Sequence, residues 1–144
     1  MASTSRVMNK VLIIGASGGI GSALAAGFEG RGAEVDRLSR SVGGIDVTAA
    51  RSVADHLSGR GPYDRIVVAT GALEIAGAVP EKTIKGLDAG AMADQFAVNA
   101  IGPALVLSHA LELLPRDRPA VMAVLAARVG SIGDNRMGGW ISYR

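Results

Sequence analysis

The 144 residues suffice for one domain, and with 49% of them apolar they can bury a substantial core. A net charge of +2 and an aromatic content of 3% leave neither a basic patch nor a base-stacking platform, so no nucleic-acid partner is expected. The absence of cysteine removes disulfides, thiolate metal sites and a cysteine nucleophile, and His56 and His109 are too few for a metal centre or a histidine-based triad.

Residues 1–10 lack the apolar core of a signal peptide, and no membrane partner is expected, so a cytoplasmic location is the expectation. Further on, apolar runs alternate with helical patterns, the rhythm of a parallel sheet. Val11-Leu12-Ile13-Ile14 reads as a strand buried on both faces and ended by Gly15. Residues 20–31 carry helical spacing through Ile20, Leu24 and Phe28, stopping at Gly30 and Gly32. A second strand is expected over 33–38 and a very short third one around Ile45-Asp46-Val47. Thr48 reads as the N-cap of a helix running to Leu57. The fourth strand falls over 65–69, a loop over 71–90, and a long helix over 91–114 bent at Pro103. The most apolar stretch, 96–114, contains Asn99, Pro103, His109 and Glu112, which suits a buried helix better than a membrane span. A fifth strand over 120–125 precedes a glycine-rich, irregular stretch over 130–144.

The turn after the first strand carries the chemistry. It reads Gly15-Ala16-Ser17-Gly18-Gly19-Ile20-Gly21 and opens directly into a helix, a context that turns a weak glycine pattern into a strong phosphate-binding signal. Gly15 permits the tight turn, Gly19 lets a pyrophosphate approach the backbone, and Gly21 lets the helix pack close to the sheet. Unpaired amides at the helix start, together with its dipole, then face the anion, and Ser17 adds a hydroxyl. No Gly-Lys-Ser/Thr follows, which excludes a P-loop. The alternative is a glycine-rich turn without a ligand. Together these elements give a Rossmann-type doubly wound parallel sheet, a single domain over 1–144 with strand order 3-2-1-4-5.

The spacing Gly15-x-x-x-Gly19-Ile20-Gly21 resembles the short-chain dehydrogenase/reductases. Gly15, Gly18 and Gly21 also satisfy the pattern of the sugar-nucleotide-epimerase branch. Asp46-Val47-Thr48 is similar to the family's adenine-contacting element, and Val68-Ala69-Thr70-Gly71 to its Asn-Asn-Ala-Gly segment. Phe96-x-Val98-Asn99-x-x-Gly102-Pro103 resembles its long-helix motif, which disfavours the epimerase branch. Gly138-Gly139-Trp140-x-Ser142-Tyr143-Arg144 looks like the approach to its Tyr-x-x-x-Lys, spaced as in carbonyl reductases of the Sniffer type.

That resemblance implies an oxidoreductase moving hydride between a nicotinamide cofactor and a small-molecule carbonyl or alcohol. The implied catalytic residues are Tyr143 as acid/base and Asn99 in the proton relay. The implied cofactor contacts are Gly15, Ser17, Gly19, Ile20, Gly21, Arg40, Asp46, Val47, Ala69 and Gly71. The parent protein is expected to be a homodimer or homotetramer. Ser39 stands where an NAD binder places its acid, and Arg40 follows it, which favours NADP while leaving NAD open. Asp36, the competing acid, sits too early. Two departures matter. The family's catalytic serine position is Ala127, with Ser131 and Ser142 as nearby hydroxyls, and its lysine would fall four residues after Tyr143, whereas the chain stops at Arg144. The chain therefore reads as the N-terminal part of a longer enzyme, its fifth strand an open apolar edge, and by itself inactive on carbonyl substrates. A dinucleotide-binding, redox-responsive module without turnover is the alternative.

Overall fold

The structure is a computed structural model that describes residues 9–144. The first strand, β1 (Lys10–Ile14), has alternating side chains that serve two cores. Leu12 and Ile14 enter one cluster with Leu38, Ile66, Val68 and Val106, while Val11 and Ile13 enter another with Ala25 and Val67. All four apolar residues of β1 are inaccessible to solvent, which is why the run reads as continuous rather than alternating hydrophobicity.

The helix α1 (Gly19–Glu29) covers the second face, packing Leu24, Ala25 and Phe28 against it. The strand β2 (Glu34–Leu38) then pairs in parallel with β1. The helix α2 (Ala50–Leu57) buries Val53 and Leu57 on the opposite face, and β3 (Arg65–Val68) returns to the other flank of β1. After the loop comes a continuous helix, Ala89–Leu113, made of α3 (Ala89–Phe96), a π-turn (Ala97–Ile101), α4 (Gly102–Ala110) and a closing 3-10 turn. The last strand, β4 (Val121–Val124), pairs with β3.

The sheet therefore has four parallel strands in the order β2-β1-β3-β4. The third strand expected around Ile45-Asp46-Val47 does not form. Gly43 and Gly44 both take left-handed backbone with φ of +83° and +82°, and the Asp46 carboxylate draws in the Thr48 amide, so the segment turns instead of extending. A single bridge, Ser39 to Gly43, is formed there, and Ile45 plugs the core as a buried loop residue. Thr48 is not the N-cap either. Its hydroxyl is engaged with Asp46, and α2 begins two residues later behind Ala49.

The bend expected at Pro103 appears one step earlier, as the π-turn. Proline has no amide to donate to Asn99, and the strain is relieved by widening the preceding turn, where the Gly102 amide bonds the carbonyl of Ala97. This helix is also buried on one side only. Gly102, Pro103, Val106 and Ala110 face the sheet and α2, whereas Phe96 is 47% and Leu111 63% exposed. Among the described residues it is the one helix long and apolar enough to cross a membrane, by length and composition alone. The edge strand β4 exposes Val121 and Val124.

One acid ties the strand starts together. Asp64, nearly buried, accepts from the Lys10 amide at 2.9 Å and from Arg118 Nε at 2.7 Å, while its own backbone bonds Lys10 and Val121. The Lys10 amide and then the Arg118 guanidinium hold its carboxyl below the usual carboxylate range. A depressed carboxylate contributes stability above its unfolded value and loses it as pH falls through the folded one. Asp64→Asn is accordingly expected to lower the thermal midpoint at neutral pH, with the gap to wild type closing in acid. A pH-independent gap would assign the effect to packing.

Candidate functional site

All the loops that follow the carboxyl ends of β1, β2 and β3 meet in one cleft of about 740 Å³. Strand β1 lies between β2, reached by the first crossover, and β3, reached by the second, so the cleft sits at the switch point where doubly wound sheets bind ligands.

Its floor is the turn after β1. Gly15 takes φ of +91°, and a Cβ there would lie 2.6 Å from the carbonyl oxygen of Ala69. Its amide bonds the Leu38 carbonyl at 2.8 Å, which holds the turn against the end of β2. Gly21 is still more constrained. A Cβ would stand 2.1 Å from the Gly15 carbonyl oxygen, so only glycine lets the first turn of α1 rest on the loop. The helix starts behind Gly18 with no side-chain cap, leaving its first amides without a side-chain partner.

The β2 side of the cleft carries Ser39, Arg40 and Ser41. Ser39 is buried, and its hydroxyl bonds the Val42 amide at 3.0 Å and the Ser41 hydroxyl at 3.3 Å. Arg40 is exposed at the rim. Asp46 also lines the cleft, but its carboxylate is occupied by the Thr48 hydroxyl and amide at 2.7 and 2.9 Å, which hold it below the usual carboxylate range. Asp36 belongs elsewhere. It accepts from the Tyr63 hydroxyl at 2.5 Å on the sheet face and takes no part in the cleft lining.

The β3 side carries Ala69, Thr70, Gly71 and Ala72. Asn99, from the π-turn, stands directly behind: Oδ1 accepts from the Ala72 amide at 2.9 Å and Nδ2 donates to the Ala72 carbonyl at 2.8 Å. Gln95, one turn earlier and buried, accepts from Asn99 at 2.7 Å and donates to the Leu73 carbonyl at 2.8 Å. Sequence reading passed over Gln95, although its four-residue spacing from Asn99 places both on one helix face. It also passed over Thr70, whose hydroxyl is the buried side-chain polar atom without a partner among the described residues.

Of the predicted contacts, Gly15, Ser17, Arg40, Asp46, Val47, Ala69 and Gly71 line this cleft together. Gly19 and Ile20 line a separate apolar cleft along α1 with Leu24 and Phe28, and Gly21 is packed beneath. Tyr143 lines neither cleft and packs edge-on against Trp140 at 5.9 Å. Its segment is pinned to the 71–90 loop: the Trp140 amide bonds the Glu81 carbonyl, and Ser142 bonds the Glu81 carboxylate through its amide and its hydroxyl. Arg144 donates to the carbonyls of Val129, Gly138 and Gly139, so its guanidinium is spent on backbone. The described residues contain no cluster of metal-ligating side chains.

A curated relative, 1-hydroxy-2-glutathionyl-2-methyl-3-butene dehydrogenase of Rhodococcus sp. (strain AD45), is 30% identical over 95% of this chain and 64% of its own length. The crystal structure of a short-chain dehydrogenase/reductase from Burkholderia multivorans with bound NADP superposes with a TM-score of 0.76 at 26% identity, covering 95% of this chain and 66% of that one. In sequence and fold the chain is similar to short-chain dehydrogenases/reductases. A carbonyl reductase from Pseudomonas aeruginosa PAO1 matches it with a TM-score of 0.73 at 25% identity, over 94% of this chain and 67% of that one. No protein-family model matches the chain. It spans just under two thirds of the curated dehydrogenase's length.

The glycine geometry separates two neighbours that look alike in sequence. Gly21→Ala is expected to destabilise the domain by roughly 1–3 kcal/mol, because backbone must move to admit the methyl group. Gly19→Ala, where a Cβ meets nothing within 4 Å, is expected to change stability by less than about 1 kcal/mol. Urea denaturation of both variants checks the contrast.

Proposed function

We propose that the chain is the dinucleotide-binding part of an NADP-preferring oxidoreductase that moves hydride between nicotinamide and a carbonyl or alcohol substrate. The observation that carries the reading is the β2 rim of the cleft, where Arg40 is exposed beside a serine whose hydroxyl is already used. An acid at that position would repel a 2′-phosphate, whereas an arginine can pair with one bidentately. The donor set suits a dinucleotide along its whole length. An uncapped helix start and the Gly15 turn would hold the pyrophosphate and Asp46 and Val47 the adenosine, while the Thr70 hydroxyl, without a partner among the described residues, would supply a further polar group in the wall. When bound, the nicotinamide supplies the hydride chemistry, and the protein orients it. Asn99 serves by holding Ala72, and Tyr143 would hold the proton at the substrate oxygen.

The second reading is a dinucleotide-binding module without turnover. Ala127 at the catalytic serine position and Tyr143 against Trp140 favour it.

Fluorescence titration separates the cofactors: NADPH is expected to bind tighter than NADH, and Arg40→Ala to erase about 1.5–3 kcal/mol of that gap. Equal weakening of both cofactors would refute the role of Arg40. For turnover, NADPH consumption with simple aldehydes and ketones by the parent enzyme is expected to fall at least about tenfold in Tyr143→Phe. Cofactor binding with no consumption, unaltered by the substitution, would establish the non-catalytic reading instead.

A further inference from the structure

The loop that presents Arg40 is tied to α2 by a histidine that the proposed cofactor contacts leave out. Residues 39–45 form a compact knot: the Ser39 amide bonds the Val42 carbonyl at 2.6 Å, and the amides of Gly44 and Ile45 both bond the Ser39 carbonyl. The two left-handed glycines turn the Gly43 carbonyl away from the knot, toward α2. There His56 receives it. Nε2 lies 2.8 Å from the Gly43 carbonyl oxygen, and Nδ1 lies 2.7 Å from the carbonyl oxygen of Ser52.

A carbonyl accepts and never donates, and a neutral imidazole has one N–H. The Gly43 contact is therefore one in which the Nε2–H donates. The Ser52 hydroxyl is the weaker partner of Nδ1 at 3.4 Å and already accepts from the Asp46 amide. The charged groups around the ring are accounted for on each neighbouring element. On α2 and just past it, Asp55 pairs with Arg51 at 3.6 Å, and Arg60 Nε bonds the backbone carbonyl of His56. On the loop side stand Arg40 itself and Asp46, whose carboxylate is engaged by Thr48.

We propose that His56 is a positioning residue: its Nε2–H clasps the Gly43 carbonyl to α2 and so fixes the loop from which Arg40 meets a 2′-phosphate. The inference rests on the reading of Arg40 given above. Without that donor the Gly43 carbonyl and the loop are released from α2, and selectivity for the phosphate-bearing cofactor falls.

NADPH and NADH titrations of wild type and of His56 variants test it. His56→Phe, which keeps a ring and has no donor, is expected to lower the preference for NADPH roughly three- to tenfold, the effect of one hydrogen bond. His56→Gln, whose amide N–H can donate to the Gly43 carbonyl, is expected to restore most of it. A preference in His56→Phe equal to that of wild type would overturn the inference, and His56→Ala is read by the same criterion if His56→Phe fails to fold. Arg40→Ala separates the two failures. If it leaves the preference unchanged, the cofactor reading falls and this inference with it. If it erases the preference while His56→Phe behaves as wild type, the clasp alone is wrong.

Discussion

The carboxyl edge of the sheet is organised by a contact that admits no side chain, the backbone of Gly21 lying on the carbonyl of Gly15. That approach sets the first turn of α1 directly over the end of β1, and the left-handed conformation of Gly15 then clears the Ala69 carbonyl at the end of β3. Three strand ends are thereby drawn to one spot, because the Gly15 amide also reaches the Leu38 carbonyl. The rest of the cleft is built outward from this junction. Its stability comes from elsewhere, from the burial of β1 on both faces, so the glycines are free to serve shape alone.

Charge is distributed along the strands in a way that suits an anion at the carboxyl edge. The acids of the sheet find their partners away from it. Asp64 is held by Arg118, and Asp36 by the Tyr63 hydroxyl, whose own ionisation is pushed up to about 12 by burial and then by Asp36. At the cleft, Asp46 turns its carboxylate onto Thr48. On the β1–β2 side, what remains directed outward is an uncapped helix start and Arg40, both favourable to phosphate, while the exposed carboxylates Glu74 and Asp94 line the far side.

The β3 wall follows a different logic. Here the backbone of Ala72 is gripped at both its amide and its carbonyl by Asn99, and Gln95 grips Asn99. The π-turn ahead of Pro103 is what delivers Asn99 to that place, so a proline read as a helix defect also sets the position of a polar clamp.

The amino-acid order by itself determined the layers and the location of the cleft. The four-residue apolar run of β1, the glycine spacing after it and the helical periodicity of α1 are local signals, and each had one physical solution. The family resemblance was legible for the same reason, since motifs such as Phe96-x-Val98-Asn99 occupy contiguous positions. The segment around Ile45 was not legible. Its short apolar pattern suits a strand, but consecutive left-handed glycines and the Asp46–Thr48 turn outcompete an edge pairing that has no second neighbour. Nor could sequence reveal that Ser39 spends its hydroxyl internally, that Asn99 and Gln95 grip the backbone of Ala72 and Leu73, or that His56 bridges Gly43 and Ser52. The bonds of Ser39, Gly43 and Asp46 depend on the course of a loop, and those made by Asn99 and Gln95 join residues far apart in the chain. Only the folded backbone brings their partners within hydrogen-bonding distance.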